Sequence, residues 1–346
     1  MENITQHVIE NRTLPDTGYY VCNLRMSSYE EYITFFSMLS YFNPLVAFLG
    51  LLSNMISLAI LRRCGLQKPS TILLFGLVVA DSMCLITPLN YGAILLYFGP
   101  NKPFPRLCGF QYEDNLNTFL AFSGIFIEFI GIWGQYVNTW IPVLITLERL
   151  FAIFKPLTFK SIITKKRILA LVCFCYLFWL PWNLYYSIVM RIVVSTYQDT
   201  NYALVRYISN DVRTVKDFIE TEVLEHLKSS IPVILISVGC LSLFIKINES
   251  LKKRAKITSS SQSTISSTRT TRTLMLTCVL FVITQLIHIA AISLYQSTDV
   301  GHYLVRNEFM YLVNNINASC NLVVYITSNK KLYDIFVQLF RRPQLP

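Results

Sequence analysis

Glu148 and Arg149, in the stretch TLERLFAIFKPL that starts at Thr146, set opposite charges side by side at the end of a long apolar run. An acid beside an arginine can pair with it through a charge-assisted hydrogen bond. The competing account is a helix end whose long side chains only reach back to water. Asp81, in LVVADSMCL, is a second charge out of place. It lies mid-run with no cation of its own, so it must be neutral, hydrated or paired with an ion. Asn54, Asn138, Asn317 and Asn321 are spread through other apolar runs and can supply that hydration, or they can simply join helix to helix. Catalytic chemistry finds no set of groups. Of the four histidines, His7 and His302 fall outside the apolar runs, His226 and His288 lie near outer ends, and neither HExxH nor GxSxG occurs. Cys173-Phe-Cys175 is the nearest thing to a metal pair, but with no further ligand close by it is best explained by packing. The chain is not expected to be an enzyme.

The elements that must position these groups follow from composition. The chain is 53% hydrophobic and 14% charged, against roughly 45–50% and about 25% in soluble domains. Apolar runs of the ~20 residues needed to cross a bilayer occur near 33–63, 70–98, 120–154, 168–190, 229–247, 273–295 and 308–328. The expected fold is therefore all-α, an integral membrane bundle of seven transmembrane helices over 33–328. The outer approach to the fifth span is also expected to be helical, capped by Asp211, with Val212, Val215, Ile219, Val223 and Leu227 at helical spacing. Of the 30 lysines and arginines, 20 fall in one alternate set of connections and the C-terminal tail. The positive-inside rule then puts the C-terminus in the cytosol and the N-terminus outside, for a multi-pass protein of the plasma membrane. The net charge of +10 is accounted for by topology and by attraction to anionic inner-leaflet lipid, so no nucleic acid is expected as a partner.

Residues 1–32 form the outer tail, with no apolar core of signal-peptide type, so the first span is expected to act as its own insertion signal. The tail carries two glycosylation sequons, at Asn3 and Asn11. Among nine cysteines, Cys22 and Cys108 fall in outside segments. They alone see an oxidising compartment, so a disulfide between them is expected, with two free thiols as the alternative.

Asn54 after Gly50 on span one, Asp81 on span two, Glu148-Arg149 on span three, and Asn321 with Tyr325 in NLVVY on span seven fall one motif to a span. Seven spans with these marks in this order resemble the rhodopsin-like family of G-protein-coupled receptors. The resemblance implies that Glu148 restrains Arg149 at rest, that the freed arginine helps receive a heterotrimeric G protein, and that Asn321 and Tyr325 belong to the same coupling switch. It also implies that Asp81, Asn54 and Asn321 form a central polar cluster, which Asn138 and Asn317 can join to hold an allosteric sodium ion. The departures are specific. Leu150 replaces the usual tyrosine after the arginine, and Leu322 replaces the proline after Asn321, which puts the kink of span seven in doubt. Span six lacks the usual Trp-x-Pro, Cys240 stands where span five has a tyrosine, and residues 191–228 contain no cysteine. The stretches around Gly50–Leu85, Ile145–Arg167 and Asn314–Phe336 look most like an invertebrate branch that holds gastropod chemosensory receptors and FMRFamide- and myosuppressin-type peptide receptors. The implied extracellular ligand is then a peptide or a small chemical cue.

Gly131 occupies the part of span three where amine receptors of the family carry an acid, and span seven has no lysine for a retinal Schiff base. The expected ligand pocket is the outer half of the bundle, with Glu128, Gln135 and Tyr136 on span three, Gln285 and His288 on span six, and Tyr311, Asn314 and Asn315 on span seven. Glu225 and His226 stand above span five. Helical spacing does not put all of these on one face. Glu128 is the first choice to meet a cationic ligand group, unless it snorkels outward or pairs with Arg191 or Arg306. Acids before span five, among them Asp217 and Glu222, would draw in basic peptides, although a solvated charged face is the favoured explanation.

On the inner side, residues 248–272 are rich in Ser and Thr and are expected to form a flexible loop. Ser259, Ser260, Ser261, Ser263, Thr264, Ser266 and Ser267 are the expected phosphorylation sites for a receptor kinase, with arrestin as a further partner. The 329–346 tail holds KKLYDIFVQLFRR, expected as a short amphipathic helix on the membrane surface. A multispan transporter is the alternative function; it would want paired half-bundles and internal repeats, and none is visible.

Overall fold

The computed structural model describes residues 29–89, 114–188, 190–197, 200–207, 215, 218–224, 226–255, 262–294 and 300–340. Span one is α1 (Tyr29–Cys64) and span two is α2 (Pro69–Ile86), continued by a 3₁₀ turn at Thr87–Leu89. Span three is α3 (Asp114–Phe154), followed on the inner side by the short α4 (Pro156–Ile162) and by span four, α5 (Lys165–Ile188). Spans five and six are α6 (Ile231–Ala255) and α7 (Gln262–Leu294). Span seven is made of two pieces, α8 (Val300–Ser319) and α9 (Asn321–Ser328), and α10 (Lys330–Phe340) follows at once. Five stretches, Tyr41–Cys64, Pro69–Leu89, Phe122–Phe154, Lys165–Tyr185 and Glu222–Glu249, are long and apolar enough to cross a membrane, and Met275–Ala291 is a shorter apolar helix. Span seven is the most polar of the seven, because it carries Glu308, Asn314, Asn315, Asn317 and Asn321.

Several helices turn a wide apolar face outward, as lipid in place of water requires. Leu45, Phe48, Leu52 and Met55 of α1 and Ile234, Val238, Leu241 and Phe244 of α6 are all exposed. The interior is different in kind. It is built by Leu73, Leu77 and Val78 of α2, Val137, Ile141 and Ile145 of α3 and Ile236 of α6, mixed with buried Asn54, Asp81, Glu148 and Asn321. Glycine brings α3 against α2: a Cβ at Gly134 would lie 2.8 Å from Ala80 O and 2.9 Å from Cys84 N.

Three segments depart from expectation. The connection after span four contains an antiparallel hairpin, β1 (Met190–Tyr197) with β2 (Thr200–Tyr207), in the register Ile192↔Val205 and Val194↔Ala203. A run of Ile, Val and Thr explains it, since β-branched chains favour the pleated form. The all-α expectation is corrected to that extent. The approach to span five is wound wider than an α-helix, with π-helical turns at Glu220–Leu224 and His226–Ser230. The inner Ser/Thr-rich stretch is not one long loop. Span five runs on to Ala255 and span six begins at Gln262, so Ser263, Thr264, Ser266 and Ser267 stand on α7, whereas Ser259, Ser260 and Ser261 lie outside the described residues.

Candidate functional site

At the inner end of α3, Arg149 Nη2 donates to Glu148 Oε1 at 2.9 Å, and Arg149 Nε stands 2.6 Å from Glu148 Oε2. Glu148 is 3% and Arg149 8% exposed, which the snorkelling account does not allow. Removing one partner of such a pair would strand a buried charge, so each group depends on the other. One turn outward, Thr146 Oγ1 donates to Pro142 O and stands 3.4 Å from Cys278 Sγ of α7. Cys278 also faces the Cys240 thiol of α6. Spans three, five and six therefore meet beside the charged pair.

Two of the central asparagines that the resemblance singles out contact Asp81 directly. Asn321 Nδ2 donates to Asp81 Oδ2, and Asn138 makes a further side-chain hydrogen bond to Asp81. Asn54 Nδ2 donates to Ala318 O at 3.2 Å. Asn54, Asp81 and Asn321 are buried, and Tyr325 is wholly buried about one turn beyond Asp81's partner Asn321 on the same span. Asn317 is half-buried on α8. Buried Asn54 Oδ1, Ser57 Oγ and Tyr325 Oη have no hydrogen-bond partner in the structure. Oxygen is the donor that a hard cation such as sodium takes, and the buried Asp81 carboxylate offers it here. The fit is chemical: Asp81, Asn138 and Asn321 would hold the ion, and it would supply the positive charge this part of the bundle lacks.

The outer half needs correction. Glu128, Gly131, Gln135, Asn138, Pro142, Ile145 and Arg149 alternate at spacings of three and four, so they share one helix face from the outer mouth to the inner switch. Tyr136 is off that stripe. Its ring stacks on Trp179 of α5 at 4.7 Å, so it is a packing residue between spans three and four. Glu128 is exposed toward the start of α3, and Gln135 is half-buried further along it. Gln285, His288 and Asn314 are half-buried and Tyr311 is exposed, whereas Asn315 is turned into the seam between spans one and seven. There Asn315 Nδ2 donates to Asn43 Oδ1 at 3.1 Å, and Asn43 Nδ2 donates to Glu308 Oε2 at 2.8 Å and Glu308 O at 3.0 Å. Asn43 and Glu308 are buried and were not among the expected site residues. A signal for Asn43 does exist in the sequence: Asn43, Ala47, Gly50, Asn54 and Ser57 also alternate at four and three.

Cys173 is exposed and Cys175 buried, on opposite faces of α5, which disposes of the pair as a metal site. Among the described residues no group of three or more His, Cys, Asp or Glu could hold a metal ion. Cys22, Cys108, Asn3, Asn11, Asp211, Asp217 and Glu225 lie outside the described residues.

Comparison with known proteins places this geometry in context. Residues 41–333 match the model of the serpentine type 7TM GPCR chemoreceptor family Srw. The chain is also similar to an FMRFamide receptor of Drosophila melanogaster, 23% identical over 309 residues, which cover 87% of this chain and 53% of that protein. The chain thus spans about half the length of the relative it matches.

Proposed function

We propose that this chain, which belongs to the Srw family of serpentine type seven-transmembrane G-protein-coupled chemoreceptors, binds an extracellular peptide and activates a heterotrimeric G protein through Arg149. The observation that carries this reading is the buried Glu148–Arg149 pair at the inner end of the span-three stripe. Burial makes the pair a stored rearrangement. When the bundle opens on the inner side, Arg149 loses its cover and becomes a contact for the partner, so whatever shifts the bundle toward the open form shifts signalling. The likeness to an FMRFamide receptor supports a short amidated peptide with a basic residue as ligand. A small chemical cue is the second possibility, supported by the chemoreceptor family. The N-terminus is outside and the Ser/Thr-rich inner segment is the target of a receptor kinase, with arrestin following. A sodium ion at Asp81 stabilises the closed bundle.

The test is signalling in cultured cells that also carry a promiscuous G protein, with wild type and Arg149→Ala compared at matched surface levels against amidated peptides and small odorants. A peptide response that Arg149→Ala abolishes is expected. An odorant response in its place would assign the chain to chemosensation. Evoked and ligand-free signalling that are both indifferent to Arg149 would reopen the transporter alternative.

A further inference from the structure

The thiols of Cys240 on α6 and Cys278 on α7 meet between spans five and six, hydrogen-bonded side chain to side chain, and neither is in a disulfide. Cys278 is buried and Cys240 half-buried. On its other side the Cys278 sulfur stands 3.4 Å from Thr146 Oγ1 and 3.8 Å from Pro142 O, both of span three. Thr146 Oγ1 gives its one proton to Pro142 O at 2.8 Å, so Cys278 is the donor toward span three. A groove open to lipid lies beside the pair, with a volume of about 240 Å³. Its walls are the exposed Leu147 of α3 and Ile234, Leu235 and Val238 of α6, and its floor is the buried Thr146 and Gly239. Glycine is needed there, since a Cβ at 239 would run into Thr146 Cγ2. Thr146 is the residue that touches Cys278, and Gly239 directly precedes Cys240. A molecule that reaches the floor from the bilayer is then one side chain away from the Cys278 sulfur.

We propose that Cys240 and Cys278 are an oxidative modification site, closed to a disulfide by an organic hydroperoxide that enters through the lipid-facing groove. The sulfur of the half-buried Cys240 attacks the terminal oxygen of the O–O bond. The alcohol leaves with the thiol proton, and a sulfenic acid remains on Cys240. The Cys278 sulfur then attacks the Cys240 sulfur, the S–O bond breaks, and the hydroxyl leaves as water with the second thiol proton. Two thiols lose two electrons to one O–O bond, and exchange with a dithiol reverses the change. Disulfides facing the cytosol are rare and, where they form, are usually transient and redox-sensing. The bond exchanges the partners of span six. It removes the S–H by which Cys278 holds Thr146 and Pro142 of span three, and it joins span six to span five instead. The consequence for signalling rests on the receptor reading, whereas the chemistry does not. Span three carries the covered Glu148–Arg149 pair just beyond Thr146, so releasing span six from span three favours the open form.

The experiment uses the full chain in membranes, with a protease site placed within 256–261 so that it can be cut between spans five and six. After cumene hydroperoxide the two pieces of the wild type should run as one band on a denaturing, non-reducing gel and separate with dithiothreitol. Cys240→Ser and Cys278→Ser should give two pieces throughout. Separate pieces from the oxidised wild type, or joined pieces from Cys240→Ser, would overturn the site. Joining by aqueous hydrogen peroxide and not by cumene hydroperoxide would overturn entry from the lipid. Should the inserted site disturb the chain, mass spectrometry of disulfide-linked peptides from the uncut protein decides the same question. In cells carrying a promiscuous G protein, the hydroperoxide should raise ligand-free signalling about threefold, the shift of one weak net hydrogen bond. Cys278→Ser keeps a donor and should stay at the wild-type level with or without oxidant, whereas Cys278→Ala should be raised without it. A joined chain whose ligand-free signalling is unchanged would overturn the exchange of partners. A joined chain that signals to nothing, with or without oxidant, would leave the site standing and sink the receptor reading.

Discussion

At the residue scale the informative fact is that the charges are covered. Glu148 and Arg149 are adjacent in sequence and both buried, so the acid's charge is worth more to the arginine than it would be in water. The inner end of α7 offers Ser267, Thr268, Arg269 and Arg272 and no second acid. Glu148→Gln keeps the shape and a hydrogen-bond acceptor but removes the charge. We expect it to raise ligand-free signalling about tenfold, the lower range for a bond between charged groups; unchanged output in a reporter assay at equal surface level would remove Glu148 from the switch. Asp81 makes a separate prediction. Raising external sodium in exchange for a larger organic cation should lower agonist potency in wild type and leave Asp81→Asn unaffected. Equal sodium effects in both would assign Asp81 to packing alone. Both residues were legible in the sequence because a charge in an apolar run is costly, by ~2.5–3.5 kcal/mol on insertion scales, and so demands a reason. Tyr136 was not, because an aromatic ring beside polar neighbours suits a pocket and a helix interface equally, and only its stacking on Trp179 decides between them.

At the element scale, spans one to five were legible as apolar runs of membrane length and span six as a shorter apolar helix, with several helices continuing beyond the expected bounds. The failures have physical causes. The kink of span seven was left in doubt because kinks are sought at proline, whereas the helix is interrupted at Cys320, where Ser53 Oγ of span one donates to Ser319 O, a tertiary contact with no local mark. The hairpin Met190–Tyr207 was legible in principle, since MRIVVSTY and TNYALVRY are rich in β-branched and aromatic residues. The inner Ser/Thr-rich stretch was taken as loop on composition, yet helical repeats at its two ends leave only 256–261 undescribed between α6 and α7. That alters the phosphorylation prediction. A kinase takes its substrate extended, so Ser263, Thr264, Ser266 and Ser267 should be reached only when the first turns of α7 unwind, and we expect Ser259, Ser260 and Ser261 to take most agonist-stimulated phosphate. Alanine at 259–261 should remove more than half of the incorporated phosphate, read by phosphopeptide mass spectrometry. Full retention would move the target elsewhere.

At the scale of the whole molecule, the membrane itself orders the charges. Lys155, Lys160, Lys165, Lys166 and Arg167 cluster on one side around α4, close to the Glu148–Arg149 end of span three, whereas Glu308 and Asn43 mark the opposite end of the bundle. By the positive-inside rule the basic end is the one expected in the cytosol, because moving lysine and arginine across the bilayer during insertion is disfavoured. An odd number of spans then puts the two termini on opposite sides. This has a consequence that does not depend on ligand or signalling. An epitope after Pro346 should be reached by antibody only in permeabilised cells, whereas one before Met1 should be reached in intact cells. Removing N-linked glycan should shift the wild-type chain on a gel and leave the Asn3→Gln, Asn11→Gln double variant unmoved. The reverse labelling pattern would place Arg149 outside the cell, where no G protein could meet it, and the switch would have to be given up together with the orientation.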